Sequence, residues 1–275
     1  MHWWWYVLKD RIKKRIGYSS SMWKGDYPTW AAAQKHCKGY DAAPILEKCK
    51  EALLKVKAGE VRYERDSMLF HEPDYSWALL TIILKTALET EFKVHILDFG
   101  GSLGSVYYQN KPFLDTIGFK ELSWSVVEQP NFVACGREYA QDEILKFYDT
   151  IDDCLKEKSP NIVLASGVIS HLERPYDWIE NFKKINSLYI VLDRVPFINI
   201  GRDLITVQTV FKSIYEGSYP CWFFNEESFI QSFYPYNVQA EFTPYDDVVW
   251  VNGCKNHWKG LILSKDTSDT EGVNI

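Results

Sequence analysis

Two patterns of apolar and polar positions divide the chain near residue 93. Before it, apolar residues recur mostly at three- and four-residue intervals: Ile45, Leu46, Cys49, Ala52, Leu53 and Val56 share one side of the stretch Ala43 to Val56, which predicts an amphipathic helix. Thr29 to Cys37 carries Ala31, Ala32 and Ala33, all good helix formers. Ser76 to Glu89 is more uniformly apolar and predicts a buried helix. No segment ahead of residue 93 shows a convincing strand pattern, so residues 1–90 read as a helical subdomain.

After residue 93 short apolar runs alternate with helical stretches. Val94 to Leu97, Ser123 to Val127, Asn161 to Ala165 and Leu188 to Leu192 predict strands, ending next to Asp98, Glu128, Ser166 and Asp193. Phe132 to Ala140 and Tyr176 to Lys184 predict helices between them. Strands and helices in this alternation imply a parallel sheet covered on both faces. Val238 to Phe242 and Lys259 to Leu263 predict an antiparallel pair at the sheet edge. The expected organisation is a helical cap over 1–90, an α/β domain over 91–265 and a disordered polar tail over 266–275.

The formal net charge of -6 shows no basic footprint, which argues against a nucleic-acid partner. Aromatic residues reach 16%, an excess that suits stacking on a sugar or nucleoside and equally suits a core. Cys37, Cys49, Cys135, Cys154, Cys221 and Cys254 are scattered and form no CxxC pair, which reads as free thiols in a reducing compartment, with no metal site. The start, MHWWWYVLKDRIKKRIG, has too short an apolar run to span a bilayer and lacks the order of a signal peptide. Its tryptophans and bases fit either a terminal helix packed on the body or a peripheral membrane contact. A cytoplasmic protein is expected.

In an open parallel sheet, ligands bind beyond the carboxyl ends of the strands. The first such turn is Asp98-Phe99-Gly100-Gly101-Ser102-Leu103-Gly104. It lacks the lysine of a phosphate-binding P-loop and the glycine spacing of a dinucleotide fingerprint. Its order, D-x-G-x-x-x-G with Glu128 closing the next strand, resembles the first motif of class I methyltransferases. A strand-tip carboxylate such as Glu128, followed by Gln129, can accept from both ribose hydroxyls.

The resemblance extends to YERDS (Tyr63 to Ser67), LDFGGSLG (Leu97 to Gly104), WSVVEQP (Trp124 to Pro130), LASGVISHLERPY (Leu164 to Tyr176), LDRVPF (Leu192 to Phe197) and SYPCWFF (Ser218 to Phe224). These blocks are similar to a family of bacterial methyltransferases often associated with surface-polysaccharide gene clusters, over roughly residues 23 to 263. It implies a Rossmann-like class I methyltransferase fold, α/β, with a mostly parallel sheet and an antiparallel C-terminal edge. It also implies S-adenosylmethionine as cofactor, S-adenosylhomocysteine (SAH) as product, and a saccharide or small-molecule acceptor methylated on oxygen. By the same resemblance Asp98, Gly100, Gly101, Gly104, Glu128, Gln129, Asp149 and Ser166 are the cofactor-binding positions, Asp149 toward the adenine, and the segment from Ser166 to His171 lies beside the methyl donor.

A hydroxyl acceptor benefits from a base, and His171 is the candidate by its place in that segment; the other reading is a histidine capping the next helix. Asp193 can be a second base or orient His171, and its alternative is a local ion pair with Arg194. Arg194 can hold an anionic acceptor; Arg65, Arg202, Tyr219 and Trp222 are further acceptor-side candidates. The cluster Glu64, Arg65, Asp66 reads either as an exposed charged turn or as part of a lid. Two competing functions remain from the residues alone: a nicotinamide-dependent oxidoreductase or epimerase, disfavoured by the glycine spacing, and a non-catalytic methyltransferase-like binding subunit.

Overall fold

A computed structural model describes residues 22–37, 42–210, 217–244, 248–252 and 254–265. The aromatic-basic start and the polar tail lie outside the described residues. Strand β1 (Trp23–Tyr27) leads into helix α1 (Trp30–Gln34), which starts where the Thr29 hydroxyl accepts from the Ala32 amide at 3.1 Å. Helix α2 (Ala42–Lys57) is followed by a hairpin of β2 (Tyr63–Arg65) and β3 (Met68–Phe70), then by helix α3 (Trp77–Glu89). The hairpin turns on Asp66 and Ser67, both at positive φ (52° and 64°), the two-residue turn whose twist matches paired strands.

The alternating half follows: β4 (Lys93–Phe99), α4 (Ser105–Leu114), β5 (Glu121–Val127), α5 (Pro130–Tyr139), β6 (Leu145–Tyr148), α6 (Ile151–Glu157) and β7 (Ile162–Ser166). A 3-10 turn at Ile169–His171 precedes α7 (Pro175–Ile185) and the ten-residue β8 (Tyr189–Ile198). The chain closes with β9 (Leu204–Thr209), β10 (Ser218–Asn225), α8 (Glu226–Gln231), β11 (Tyr236–Phe242), β12 (Val248–Val251) and β13 (Cys254–Lys265).

Parallel strands β6, β5, β4, β7 and β8 lie side by side in that order; β13 then pairs antiparallel with β8, and β11 antiparallel with β13. This is the Rossmann-like class I methyltransferase arrangement, including the antiparallel edge expected from Val238 to Phe242 and Lys259 to Leu263. Burial explains the parallel centre. Val94 and Ile96 of β4 join one core with Ile83 of α3, Trp124 and Leu145, while Leu97 and Phe99 join the opposite core with Val163, Ile179 and Phe182. A strand buried on both faces reads as a continuous apolar run.

The first 90 residues differ from the sequence expectation: they contribute three strands besides their helices, and β1 joins the main sheet through β9. These strands are three to five residues long, too short for an alternation to stand out. A second addition follows from the length of β8. It outruns β7, and the vacated edge at Phe197 and Ile198 is taken by β10, which carries β9 and β1 with it. Arg202, Asp203, Thr206 and Gln208 form a polar stretch in the sequence that suits the lining of an acceptor pocket. Thr206 is instead fully buried in β9, its hydroxyl donating to the Cys221 carbonyl at 3.0 Å.

Among the described residues no helix is long and apolar enough to cross a membrane, and no group of three or more His, Cys, Asp or Glu is placed to hold a metal ion. The cysteines are unpaired; Cys49, Cys135, Cys154 and Cys221 are buried, Cys37 is half-buried and Cys254 is exposed.

Candidate active site

The loop after β4 tolerates no side chain at its three glycines. Gly100 sits at φ +71°, and a Cβ there would lie 2.5 Å from the Val168 side chain. A Cβ on Gly101 would lie 2.6 Å from the Asp98 carboxyl group. Gly104, at φ +87°, starts α4, and a Cβ there would meet Leu145 at 2.8 Å. Real Cβ contacts are longer than these distances, so the glycines are required by their neighbours as well as by backbone conformation.

Asp98 lies under this loop with no exposure to solvent. Its Oδ2 accepts from the Trp124 indole N–H at 2.9 Å, and its Oδ1 has no protein partner. Burial pushes its carboxyl up to about 7; the indole bond pulls the other way and the nearby Glu128 charge adds to the rise. Replacing Trp124 by Phe removes the donor from the buried carboxylate. The expected loss is about 1–3 kcal/mol, read as a lower denaturation midpoint at pH 8.

Glu128 stands at the next strand tip. Burial raises its carboxyl, and hydrogen bonds from the Gln129 amide (2.6 Å) and the Ser102 amide pull it back. The Glu128 carboxylate thus straddles the glycine loop and the start of α5, where Gln129 is an exposed N-terminal cap. Asp149 follows the tip of β6. Its carboxylate pairs with Arg137 at 3.3 Å on the surface, just ahead of Thr150, which caps α6.

The charged cluster at Glu64 to Asp66 lies on the β2–β3 hairpin, which touches the start of α4 through Glu64 and Arg194 of β8 through Asp66. Glu64 is buried, accepts from the Ser67 amide at 3.0 Å and from the Ser105 hydroxyl at the first position of α4, and burial pushes it up to about 7. Asp66, at the hairpin tip, binds Arg194 at 2.7 Å, and that guanidinium holds its carboxyl below the usual range. Arg65 approaches Asp74 at 3.7 Å, with its guanidinium over the stacked rings of Tyr63 and Phe70.

A cavity of about 340 Å³ opens between this hairpin, the first turn of α3, α4, the end of β7 and the middle of β8. Arg65, Ser166, Asp193 and Arg194 all line it. Ser166 donates to the Asp193 carboxylate at 2.9 Å. Asp193 therefore orients Ser166, and the charges that reach His171 come from Asp66 and Arg194. His171 packs edge-on against Tyr219, ring centroids 5.0 Å apart. Burial drives His171 down to about 4, against a hydrogen bond to the Pro220 backbone and the Asp66 charge, and its Nδ1 has no partner. It does not cap α7, whose cap position is Arg174.

Arg202 and Trp222 lie apart from this group. They line a separate cavity with Asp26 and Asp203, where Arg202 forms a two-point pair with Asp26. The Trp222 indole donates to the Leu172 carbonyl at 3.0 Å.

No family model matches the sequence, and no curated protein matches it. Among solved structures, the N-terminal domain of EvdMO1 with SAH bound is similar at 12% identity, covering 82% of this chain and 97% of that one, with a TM-score of 0.46. The glycopeptide N-methyltransferase MtfA complexed with S-adenosylmethionine is 12% identical over 67% of this chain and 93% of that one, TM-score 0.44. CalS10 from Micromonospora echinaspora, an amino pentose methyltransferase, is 10% identical over 70% and 92%, TM-score 0.44. At these values the fold assignment rests on the strand order and register given above.

Sequence reasoning missed Glu64 as a buried group and Asp74, Trp77 and Gln109 as neighbours of the cavity. The available signal was YERDS itself: three charges in a row running from β2 into its turn, with aromatic residues in both strands.

Proposed function

We propose that this chain is a methyltransferase that uses S-adenosylmethionine to methylate an oxygen of a saccharide or small metabolite in surface-glycan assembly. The observation that carries the cofactor is the unpartnered Asp98 Oδ1, buried beneath a loop where no Cβ fits, with Glu128 at the adjacent strand tip. An orphaned buried acceptor is costly unless a ligand supplies a donor. Gly100, Gly101 and Gly104 let a ligand lie on the loop backbone, Asp98 Oδ1 suits an ammonium group, and Glu128 suits ribose hydroxyls. Gln129 and Asp149 border the adenine side.

When bound, the cofactor supplies an electrophilic methyl group on a sulfonium. The remaining work is positioning and proton management. Ser166 and Asp193 form a fixed polar pair at the cavity wall. His171 is neutral at pH 7, but its Nδ1 is buried and it does not line the cavity, so of the two candidate bases Asp193 is the one at the cavity wall.

Isothermal calorimetry tests the cofactor directly. SAH is expected to bind, and Glu128→Ala to weaken it by about 2 kcal/mol, roughly 30-fold, for the lost charged hydrogen bonds. Binding of NADH without binding of SAH would replace this reading by the nicotinamide one. Transfer of labelled methyl to a glycan separates an enzyme from a non-catalytic subunit.

A further inference from the structure

We infer that the acceptor taken by the 340 Å³ cavity carries an anionic group, a carboxylate or a phosphate, which is gripped by Arg194 and Arg65 in exchange for Asp66 and Asp74. The inference rests on the methyltransferase reading for what happens to that acceptor, and on the cavity alone for what binds.

The two ion pairs are lopsided. The Arg194 and Arg65 side chains are 21% and 18% exposed, whereas those of Asp66 and Asp74 are 66% and 51% exposed. The cations thus belong to the cavity wall and their counter-ions to the water side. A carboxylate that leaves such a pair is rehydrated at little cost, because most of it already faces water. An anion that enters the cavity meets guanidinium forks already stripped of most of their water, where a two-point charged hydrogen bond is strongest.

The backbone is arranged for Arg194 in particular. Arg194 has φ +57°, a left-handed conformation that a non-glycine residue adopts at a cost, in the middle of β8 where its register with β13 breaks: Leu192 faces Leu261 and Val195 faces Lys259. Its guanidinium lies over Gly167, where a Cβ would come within 2.7 Å of the guanidinium nitrogen Nη2. The missing side chain at residue 167 leaves the space that the Arg194 guanidinium fills at the cavity wall.

The rest of the cavity suits the remainder of such an acceptor. Ser166 and Asp193 offer hydroxyl-binding groups, Leu164 and Val191 an apolar floor, and Trp77, 59% exposed, an aromatic face at the rim. Because Asp66 is the tip of the hairpin, its exchange for the acceptor's anion also couples acceptor entry to the position of the hairpin.

Calorimetry on the full chain, with saturating SAH present, can compare methyl glucuronoside, glucose 1-phosphate and methyl glucoside. The two anionic probes differ in source and share the chemistry, so either one binding at least 10-fold tighter than the neutral glucoside is the expected result. Asp66→Asn keeps the turn, because asparagine tolerates positive φ, and removes the competing carboxylate; it is expected to tighten the anionic probe several-fold. Arg194→Gln is expected to weaken it at least 10-fold. Equal binding of charged and neutral sugars, no binding of either anion, or no gain in Asp66→Asn overturns the inference. SAH binding, recorded in the same samples, reports separately on the cofactor reading: SAH bound without anion sinks only the present inference, and anion bound without SAH sinks only the cofactor.

Discussion

Alanine at Gly101 is expected to abolish detectable SAH binding, a loss of at least 100-fold, while lowering the stability of the ligand-free protein by about 1–3 kcal/mol. The added methyl group would sit 2.6 Å from the Asp98 carboxyl group, which cannot retreat: it is fully buried and tied to the Trp124 indole, itself fully buried. The loop must rise instead, and it is the loop that a cofactor would lie on. Calorimetry and a urea titration on the same variant separate the two effects. Alanine at Gly118 is the control, since nothing lies within 4 Å of a Cβ there. A Gly101→Ala variant that binds SAH as tightly as the parent would sink the assignment of this loop to the cofactor.

That contrast shows what the sequence could disclose. The parallel strands were legible because burial on both faces leaves each as a short apolar run, as with Val94 to Leu97 and Asn161 to Ala165. The glycine loop was legible because the need for glycine arises from the backbone and its nearest neighbours. What was hidden depends on partners far along the chain. Arg202 reads as an acceptor-side cation until Asp26, 176 residues away, is seen to hold it in a different cavity. The Arg137 partner of Asp149 is likewise not marked by any local pattern. The hairpin escaped because its strands have three residues each and its turn is Asp-Ser rather than the Asn-Gly or Asp-Gly that signals such turns. Yet that hairpin places Glu64 on α4 and Asp66 on Arg194, so the short element with the weakest pattern lines the cavity.

The ligand-free protein is expected to become more stable as pH falls from 8 to about 6. Asp98 and Glu64 are both held at about 7 in the folded chain, against ordinary values of 3.8 and 4.5, and burial is the main cause for each. In that interval the folded state binds more protons than the unfolded one. Stability from these groups is therefore complete below their unfolded values and is lost as pH rises through about 7. A shift of this size corresponds to roughly 2–4 kcal/mol per group at the upper limit. His171 acts in the opposite sense. Its folded value of about 4 lies below the ordinary 6.5, so its contribution is present above pH 6.5 and is lost as pH falls toward 4. Thermal midpoints should thus rise gently from pH 8 to about 7 and more steeply from there toward pH 5, with His171 taking away part of the gain below pH 6.5. Asp98→Asn keeps an acceptor for the Trp124 indole while removing one titrating group, so it should flatten the upper limb and stabilise the protein at pH 8. Adding Glu64→Gln should invert the dependence below pH 6.5, where His171 is then left to dominate. Asp98→Asn also places an amide N–H where the orphaned oxygen stood, so the variant that gains stability at pH 8 should lose SAH. A gain in both would show that Asp98 is buried for a reason other than the cofactor.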